Sequence, residues 1–397
     1  MRSTFNQTRH YTLMKLTFLT NLVNHHQIPL ADEFFKLLGN DYTYIAFETL
    51  PDWLKKGGYQ EIERPYILKV YEDCNNIQKV KDLVASSDVV ITGAAPEEFV
   101  LDRIKSNKLT FRYSERWFRT KPWYLSGPKG WKSLYCNHIR FKNKPLYMLA
   151  ASAYTANDVY AIGAYKEKVY KWGYFTEVPE KIEVETQESG VTASKATIHI
   201  MWCSRFLRLK HPELPVKLAA MLKADGYKFI LDMYGSGEEL EATKALAQDL
   251  YVDDVISFRG NMPNKEILAE MRNHHIFLFT SDKNEGWGAV LNESMSNGCA
   301  VVASNRIGAT HFLVKDGENG LIFQSENIIS LYEKVKLLLD NESLRKQLSR
   351  NAFETMSKVW SPKNAAMRFL ELAKALQNKK DTPFTDGPCS KAYPCKC

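Results

Sequence analysis

The chain has 397 residues, 45% of them hydrophobic and 25% charged, which excludes a largely disordered, collagen-like or low-complexity protein. At roughly 150 residues per domain, this length predicts two or three domains. The formal net charge of +7 lies in the first part, because residues 1–175 carry 25 Lys and Arg against 17 Asp and Glu, whereas residues 176–397 carry 28 against 29. No uncharged apolar run approaches the roughly 18 residues of a membrane-spanning helix, and the first 14 residues lack the apolar core of a secretory signal. A cytoplasmic protein is therefore expected.

The first half alternates short β-branched or aromatic runs with helical patterns, an order that predicts βαβ units and a parallel sheet. Its predicted strands are residues 15–20, 42–47, 88–92, 109–113, 146–150 and 168–171. Residues 181–195 are polar and have no apolar stripe, so they are the predicted linker.

A second alternating series follows the linker. Its predicted strands are residues 196–202, 228–234, 255–258, 275–280, 299–303 and 320–323, and its predicted helices are residues 213–224, 238–249, 264–272, 288–297, 308–314 and 327–339. A Ser-Pro pair at residues 361 and 362 supplies a helix cap and a first turn, so a last helix is expected to begin there.

Together, the two series predict two Rossmann-like, doubly wound α/β domains that face a cleft. The first domain covers 1–180 and the second covers 196–360. A closing helix over 361–380 is expected to return to the N-terminal domain, and a flexible tail is expected over 381–397. Ligands of such sheets bind outside the carboxyl ends of the strands.

The seven cysteines do not form a disulfide framework, because they are few for this length and odd in number. Four are scattered and are expected to be reduced thiols: Cys74, Cys136, Cys203 and Cys299. Three lie close together near the carboxyl end: Cys389, Cys395 and Cys397. Three thiols are able to hold a metal ion, but their Pro- and Gly-bearing context indicates a loose tail, so no metal site is predicted.

Basic and aromatic residues are concentrated in 103–144, which holds 12 Lys and Arg and a single acid, Glu115. This composition suits an anionic bilayer surface, to which each basic residue contributes about 1 kcal/mol. It also suits phosphate-bearing nucleic acid, and it is typical of a solvated loop over an aromatic core. We expect an anionic membrane surface as partner and no nucleic acid, with the solvated loop as the alternative.

The most informative segment is 285–298, which follows a predicted strand and so lies at the carboxyl end of the second sheet. Gly286 and Gly288 let the backbone approach a ligand closely, and the N–H groups where a helix begins attract anions. Glu285 stays in the loop, whereas Glu293 lies about a turn and a half into the helix. Two such carboxylates are able to bind hydroxyl-rich groups on either side of a phosphate. The alternative is a loop glutamate and a surface helix glutamate.

Two further loops follow strands of the second half. Arg205 and Lys210 lie in a cationic loop and are able to neutralise a diphosphate, although most basic loops are only solvated. The Gly-Ser-Gly turn at 235–237 is similar to half a dinucleotide fingerprint but lacks its third glycine, so we interpret it as a turn that lines the cleft.

Residues 196–377 resemble the donor domain of the retaining GT-B glycosyltransferases of the group 1 type, the E-x7-E family. The matching pieces occur in order: Arg205 with Lys210, 235–237, 258–263, Glu285 with Glu293, 296–303, Gly308, 314–321 and the last helix. The resemblance implies the GT-B fold and a nucleoside-diphosphate sugar as donor. It implies no cofactor and no divalent metal, because cationic side chains and a helix dipole stabilise the leaving diphosphate.

The resemblance also implies a role for each matching residue. Arg205 and Lys210 would hold the donor diphosphate and Glu285 would bind the transferred sugar, and these three are the predicted catalytic residues. Glu293 would bind the nucleotide ribose. The other predicted donor-binding positions are Gly235, Gly260, Asn261, Gly288, Ala289 and Val290.

The first half matches the family less well. The loop after its first strand lacks the family's usual glycines and contains His25 and His26, which are able to orient an acceptor hydroxyl or a phosphate. Glu115 follows another strand and is a candidate acceptor-site carboxylate. The alternatives are a loop-capping histidine pair and an ion pair from Glu115 to Arg116 or Arg119.

We therefore predict a metal-independent, retaining glycosyltransferase of the hexosyltransferase type. It would move sugar from a nucleotide sugar to a hydroxyl of a glycan or lipid-linked acceptor in polysaccharide or glycolipid biosynthesis, on the cytoplasmic membrane face. The alternatives are a nucleotide-sugar hydrolase or epimerase of the same fold, and a nucleic-acid-binding protein that uses 103–144. A nicotinamide-dependent oxidoreductase is disfavoured, because no complete G-x-G-x-x-G opens a βαβ unit.

Overall fold

The computed structural model describes residues 14–52, 60–73, 75–119, 122, 127–181 and 197–395. They divide into two compact units. Unit 1 comprises the described residues within Met1–Thr176 and Ser361–Cys397, and unit 2 those within Glu177–Trp360. Cys74, Cys397 and all of the predicted linker except residue 181 lie outside the described residues.

Unit 1 is built on a seven-stranded sheet whose paired strands are parallel. Its strands are β1 (Leu16–Thr20), β2 (Tyr42–Ala46), β3 (Ile67–Lys69), β4 (Val89–Thr92), β5 (Thr110–Ser114), β6 (Leu146–Ala150) and β7 (Val169–Lys171). Its first helices are α1 (Ile28–Leu38), α2 (Asn76–Ser86), α3 (Glu98–Lys105), α4 (Gly127–Asn137) and α5 (Thr155–Ala161). The strand order is β3-β2-β1-β4-β5-β6-β7. The central strand β1 is buried along its whole length, as expected where helices cover both faces.

Unit 2 contains a six-stranded sheet, also parallel. Its strands are β8 (Ile198–Cys203), β9 (Phe229–Tyr234), β10 (Ile256–Gly260), β11 (Ile276–Phe279), β12 (Ala300–Ser304) and β13 (Leu321–Phe323). Its helices are α6 (Glu213–Ala224), α7 (Leu240–Asp249), α8 (Asn264–Arg272), α9 (Ala289–Ser296), α10 (Thr310–Leu313), α11 (Ile328–Asp340) and α12 (Glu342–Glu354), and α13 (Pro362–Gln377) follows them. The strand order is β10-β9-β8-β11-β12-β13.

The strand orders indicate where sheets of this kind bind ligands. In each sheet the order reverses beside the first strand, between β1 and β4 in unit 1 and between β8 and β11 in unit 2. Doubly wound sheets bind ligands outside the carboxyl ends of the strands at such switch points. The prediction of two doubly wound α/β sheets is confirmed. Within the described ranges, no helix is both long enough and apolar enough to cross a bilayer.

Helix α13 packs in unit 1 although it follows unit 2 in the sequence. The Ser361 hydroxyl caps the helix by accepting the N–H of Asn364 at 3.3 Å. The buried Phe369 lies against Phe34 and Phe111, with ring centroids 5.6 and 5.0 Å apart. The predicted return of the closing helix to the first domain is therefore confirmed.

The prediction of a flexible tail over 381–397 is wrong for the described part of that segment. Cys389 is fully buried and its backbone N–H donates to the carbonyl of Lys171 at 2.8 Å. Lys391 forms an antiparallel bridge with Tyr170. The tail therefore pairs with β7, the edge strand of unit 1, and satisfies backbone groups that an edge otherwise leaves open. Its Pro- and Gly-bearing composition is that of a loop, and composition does not report such pairing.

Candidate functional site

Three loops of unit 2 meet at the carboxyl edge of its sheet, after β8, β9 and β10. Backbone hydrogen bonds join them: Ser204 N–H to Tyr234 O at 3.1 Å, Phe206 N–H to Ser236 O at 2.8 Å, and Gly235 N–H to Gly260 O at 2.8 Å. The side-chain amide of Asn261 adds a hydrogen bond to the Ser236 hydroxyl at 2.8 Å. The predicted positions Gly235, Gly260 and Asn261 thus belong to one connected surface.

The Gly-Ser-Gly turn exists because two loops approach each other closely. Gly235 has φ 126° and Gly237 has φ 153°, values that residues with a side chain rarely adopt. A Cβ atom at Gly235 would overlap the carbonyl oxygen of Ser204, and one at Gly237 would overlap that of Phe206. These glycines therefore let the β9 loop lie against the β8 loop.

Lys210 and Glu285 form an ion pair between the loops that follow β8 and β11. Both side chains are largely buried, with 12% and 14% of their surface exposed. The carbonyl of Lys210, in a single 3-10 turn over Arg208–Lys210, accepts the hydroxyl of Thr280 at 2.6 Å. The two loops are thus connected by a charge pair and by a backbone contact. Arg205 lies exposed on the same β8 loop.

The start of α9 is shaped by Gly288. This residue is in the left-handed region at φ 89° and precedes the helix, and a Cβ atom there would overlap the Phe279 ring. Ala289 and Val290 are the first two helical residues and are only half-buried. Their backbone N–H groups lie in the first turn, which has no intrahelical acceptors for them and attracts anions.

Glu293 is buried on α9, with 8% of its surface exposed. The side-chain amide of Asn264, at the start of α8, donates to its carboxylate at 3.0 Å. Burial raises the pKa of Glu293 to about 7. Burial also raises the pKa of the Cys203 thiol to about 12, with smaller effects from the charges of Glu293 and Lys210. These two charges therefore both act at the end of β8.

The structure brings Lys210 into contact with Glu285 and brings Glu293 within electrostatic reach of the same strand end. The roles assigned to these residues, and to Arg205, stay predictions. Sequence reasoning missed Thr280 and Asn264, which hold Lys210 and Glu293 in place. Thr280 directly follows a strand and Asn264 begins a helix, which are positions where polar side chains often serve a site.

Unit 1 has a cavity of about 390 Å³ at the carboxyl ends of β1, β4 and β5. Glu115 lines it, and its role as an acceptor-site carboxylate stays a prediction. Its carboxylate forms an ion pair with Arg119 and accepts the Tyr174 hydroxyl at 3.1 Å. The predicted alternative, an ion pair to Arg119, thus exists within the cavity wall.

His25 and His26 lie between β1 and α1 with ring centroids 3.7 Å apart. Burial lowers the pKa of His25 to about 4. Burial, with the charge of His25, also holds the pKa of His26 well below its usual value. Both rings are therefore neutral near pH 7. Asn24 and Gln27, which flank the histidines in the sequence, line the 390 Å³ cavity, whereas the described lining residues do not include either histidine.

The charged groups that form or hold the cavity wall were not predicted from the sequence. In the wall, Arg112 donates to both carboxylate oxygens of Glu97 at 2.6 Å. Asp158 does not line the cavity, but it accepts the backbone N–H groups of the lining residue Trp117 and of Phe118 at 2.7 and 3.0 Å. Arg112 stands in the middle of a strand, and Asp158 is 41 residues from Trp117, so neither partner is visible locally.

The basic stretch 103–144 is not one continuous basic face. Arg103 is buried and donates to four backbone carbonyls, those of Val84, Ser87, Asp88 and Leu109. Burial lowers its pKa to about 10. Arg112 is also buried. The exposed basic residues that remain include Lys129 and Lys132 on α4.

Comparison with known proteins gives a consistent result for unit 2. Residues 185–355 match the sequence family described as "Glycosyl transferases group 1". Poly(glycerol-phosphate) alpha-glucosyltransferase of Bacillus subtilis is 29% identical over 159 residues, which are 40% of this chain and 23% of that protein. N-acetylgalactosamine-N,N'-diacetylbacillosaminyl-diphospho-undecaprenol 4-alpha-N-acetylgalactosaminyltransferase of Campylobacter jejuni is 29% identical over 163 residues, 41% of this chain and 42% of that protein.

The chain thus spans less than half the length of these two curated relatives. Among solved structures, the Anabaena protein HepE in complex with UDP has a TM-score of 0.63 at 16% identity. The likeness covers 92% of this chain and all of that one. It is a likeness of fold, and it includes both units.

Proposed function

We propose that this chain transfers a sugar from a nucleoside-diphosphate sugar to a hydroxyl group. Its residues 185–355 belong to the group 1 glycosyl transferase family. One observation carries the proposal: the Lys210–Glu285 ion pair and the start of α9 at Gly288 follow the carboxyl ends of β8 and β11. These are neighbouring strands at the switch point of the sheet in the family-matching unit.

The arrangement supplies what departure of a nucleoside diphosphate requires. The N–H groups at the start of α9 and the charge of Lys210 would bind the diphosphate, and Arg205 would add a second cation from the exposed edge of its loop. When phosphate oxygens compete for Lys210, the carboxylate of Glu285 becomes able to accept hydroxyl groups of the sugar. The same cations stabilise the negative charge that develops as the glycosidic bond to phosphate breaks.

Retention of the anomeric configuration and independence from a divalent metal belong to the same proposal. Two cationic side chains and a helix dipole provide electrostatic stabilisation of the kind that a bound Mg²⁺ would otherwise supply. Glu293, buried on α9 and held by Asn264, would accept the ribose hydroxyls. The segment at Gly260 and Asn261 would border the base.

The acceptor would bind in the cavity of unit 1. Its wall presents oriented donors and acceptors, with Glu115 held by Tyr174 and with Arg112 fixed on Glu97. Such groups suit the hydroxyls of a glycan. The names of the Bacillus subtilis and Campylobacter jejuni relatives refer to poly(glycerol-phosphate) and to a diphospho-undecaprenol. They support a glycan or lipid-linked acceptor in polysaccharide or glycolipid assembly.

A thermal-shift screen of nucleoside diphosphates tests the donor site directly. We expect UDP or another nucleoside diphosphate to raise the melting temperature, because a ligand at 100 times its dissociation constant adds about 2.7 kcal/mol. Lys210→Met should remove most of this effect, whereas Lys217→Met, on α6, should keep it. A chain that binds no nucleoside diphosphate would contradict the proposal. Free sugar or an epimer released with donor alone, without transfer, would favour the hydrolase or epimerase alternative.

We also propose that α4 rests on an anionic membrane surface, because Lys129 and Lys132 remain exposed there. Replacing both by Ser should weaken binding to anionic vesicles by about tenfold or more, at about 1 kcal/mol per charge. The double variant Lys379→Ser and Lys380→Ser removes the same charge from an exposed site after α13 and serves as the control. Equal vesicle binding by the two variants would exclude α4 as the membrane contact. A gel shift with nucleic acid tests the other possible anionic partner.

A further inference from the structure

Two histidines and an aspartate converge in unit 2 away from the Lys210–Glu285 pair. They are His199 near the amino end of β8, Asp232 on β9 and His274 just before β11. One nitrogen from each ring and one carboxylate oxygen all lie within 4.8 Å of one another. His274 Nε2 is 3.1 Å and His199 Nδ1 is 3.8 Å from the same oxygen, Asp232 Oδ2. Three ligand atoms of two chemical types thus point to one place.

The hydrogen bonds of His274 leave a lone pair directed at this place. Its Nδ1 lies 2.7 Å from the carbonyl oxygen of Glu270, and since a carbonyl only accepts, Nδ1 must carry the proton. In the neutral ring, Nε2 is then an acceptor that faces the Asp232 carboxylate at 3.1 Å. Two acceptors at this distance need a cation between them. This is also the arrangement of metal-binding histidines, whose other nitrogen donates to a carbonyl or a carboxylate.

Asp232 is oriented in the same way. Its Oδ1 accepts the Nε–H of Arg259 at 2.6 Å, so the guanidinium fixes the carboxylate and leaves Oδ2 towards the histidines. Asp232 and His274 are buried, each with 3% of the side chain exposed, whereas His199 is 39% exposed. The site is therefore held firmly on two sides and open to solvent on the third.

We propose that His199 Nδ1, Asp232 Oδ2 and His274 Nε2 bind a divalent transition-metal ion of the Zn²⁺ type. Imidazole nitrogens and a carboxylate are ligands that Zn²⁺ accepts at about 2.0–2.2 Å, which places tetrahedral ligand atoms about 3.3 Å apart. The 3.1 and 3.8 Å separations match this spacing with a small movement of the exposed His199. A water molecule would complete the coordination from the open side.

The neighbouring His275 is not a fourth ligand through Nδ1. That nitrogen accepts the backbone N–H of His199 at 3.1 Å, and the two backbones also pair through His275 N–H and His199 O at 2.9 Å. His275 therefore fixes the backbone that carries His199. A bound ion would connect β8, β9 and the start of β11 through its three ligands. Because His274 also donates to the carbonyl of Glu270 on α8, the ion would link this helix to the sheet and should stabilise unit 2.

Metal binding by the full chain, produced without a polyhistidine tag and stripped with a chelator, tests the site. We expect one equivalent of Zn²⁺ to bind in competition with a chromophoric chelator, and Co²⁺ to give the visible absorption of a four-coordinate ion. His199→Ala should weaken Zn²⁺ binding by about tenfold or more, since it removes one ligand, and should abolish the rise in melting temperature that Zn²⁺ causes. Asp232→Asn, which keeps the side-chain shape, should act in the same way.

His211→Ala is the matched control. His211, Asp282 and Glu326 form another group with a histidine and carboxylates among the described residues, so this variant distinguishes the two positions. The proposal requires wild-type Zn²⁺ affinity in His211→Ala and loss in His199→Ala. The reverse pattern, unchanged affinity in His199→Ala, or no binding by the wild-type chain would overturn it. In those cases a proton on His274 is the cation that faces Asp232.

Discussion

The proposed donor site of unit 2 and the cavity of unit 1 are built by different means. In unit 2 the loops are joined by backbone hydrogen bonds and by the ion pair between Lys210 and Glu285. In unit 1 the charged side chains of the cavity wall each form an ion pair with another side chain: Arg112 with Glu97 and Arg119 with Glu115 within the wall, and Arg116 with Asp158, which does not line the cavity.

This difference indicates how each site would treat a ligand. If a diphosphate binds as proposed, it would replace Glu285 as the partner of Lys210, so the ion pair of unit 2 would be exchanged when the donor binds. The unit 1 pairs already satisfy their charges, so they would act as oriented hydrogen-bonding groups for a hydroxylated acceptor. Replacing Glu285 in unit 2 and Glu115 in unit 1 therefore tests the comparison.

Glu285→Gln should have the largest effect on activity. It keeps the size of the side chain but removes the charge that pairs with Lys210 and that would bind the sugar. We expect the rate of transfer to fall by about 100- to 1,000-fold, the range found when a group that stabilises transition-state charge is removed. Steady-state kinetics and a melting curve measure rate and folding together.

The exposed Glu318, in the loop between α10 and β13, provides the control for that variant. Glu318→Gln makes the same chemical change outside the proposed site and should transfer sugar at the wild-type rate. Near-normal turnover in Glu285→Gln, with a normal melting curve, would remove Glu285 from the mechanism and leave the ion pair with a structural role only.

The two constructions also explain what the sequence could predict. Apart from β3, the strands of both sheets follow from runs of buried β-branched and aromatic residues, and their observed ends differ from the predicted ones by at most two residues. Arg205, Lys210 and Glu285 lie in loops that follow such strands, so their position could be read from local order. Their contacts, such as Thr280 with Lys210, depend on two loops that are far apart in the sequence.

Buried polar side chains account for most of what was missed. Helix α12 buries Arg345 and Ser349 with Leu348 and Ala352, so its buried face does not appear as an apolar stripe. Arg103 and Arg112 contribute to the basic character of 103–144, but their charges are used inside unit 1. For these arginines and for Ser349, the partner that makes burial favourable is distant in the chain or is a backbone carbonyl. Strand β3 lies at the edge of its sheet and buries only Lys69 of its three residues, so it shows no run of buried apolar residues.

Glu293→Gln should have the next largest effect, in this case on the free energy of unfolding. Burial raises the pKa of Glu293 from its usual 4.5 to about 7, so the folded protein takes up a proton between these values. The wild-type free energy of unfolding should therefore fall as pH rises from about 4.5 to 7 and should then level off. Gln carries no such penalty, so the variant should be more stable above pH 7 by about 3 kcal/mol.

Chemical denaturation at pH 5 and pH 8 measures this difference. The gain in Glu293→Gln should be small at pH 5 and large at pH 8, whereas the exposed Glu318→Gln should show no such dependence. Equal stability of Glu293→Gln and wild type at both pH values would mean that the carboxylate is well solvated in the folded protein. Burying the charge of Glu293 would then not lower the stability of unit 2. In that respect Glu293 would not differ from the charged side chains of unit 1, which form ion pairs.

Glu115→Gln should have the smallest effect, because only part of the interaction changes. The amide oxygen is still able to accept the Tyr174 hydroxyl, whereas the ion pair with Arg119 is lost, and 24% and 36% of these two side chains are exposed. We expect KM for an acceptor on which the wild type is active to rise about tenfold, or about 1.4 kcal/mol, with donor affinity unchanged. Glu98→Gln, on the exposed side of α3, is the control. If KM for the donor rises instead, Glu115 contributes to binding of the nucleotide sugar. The proposed assignment of the donor to unit 2 and of the acceptor to the cavity of unit 1 is then wrong.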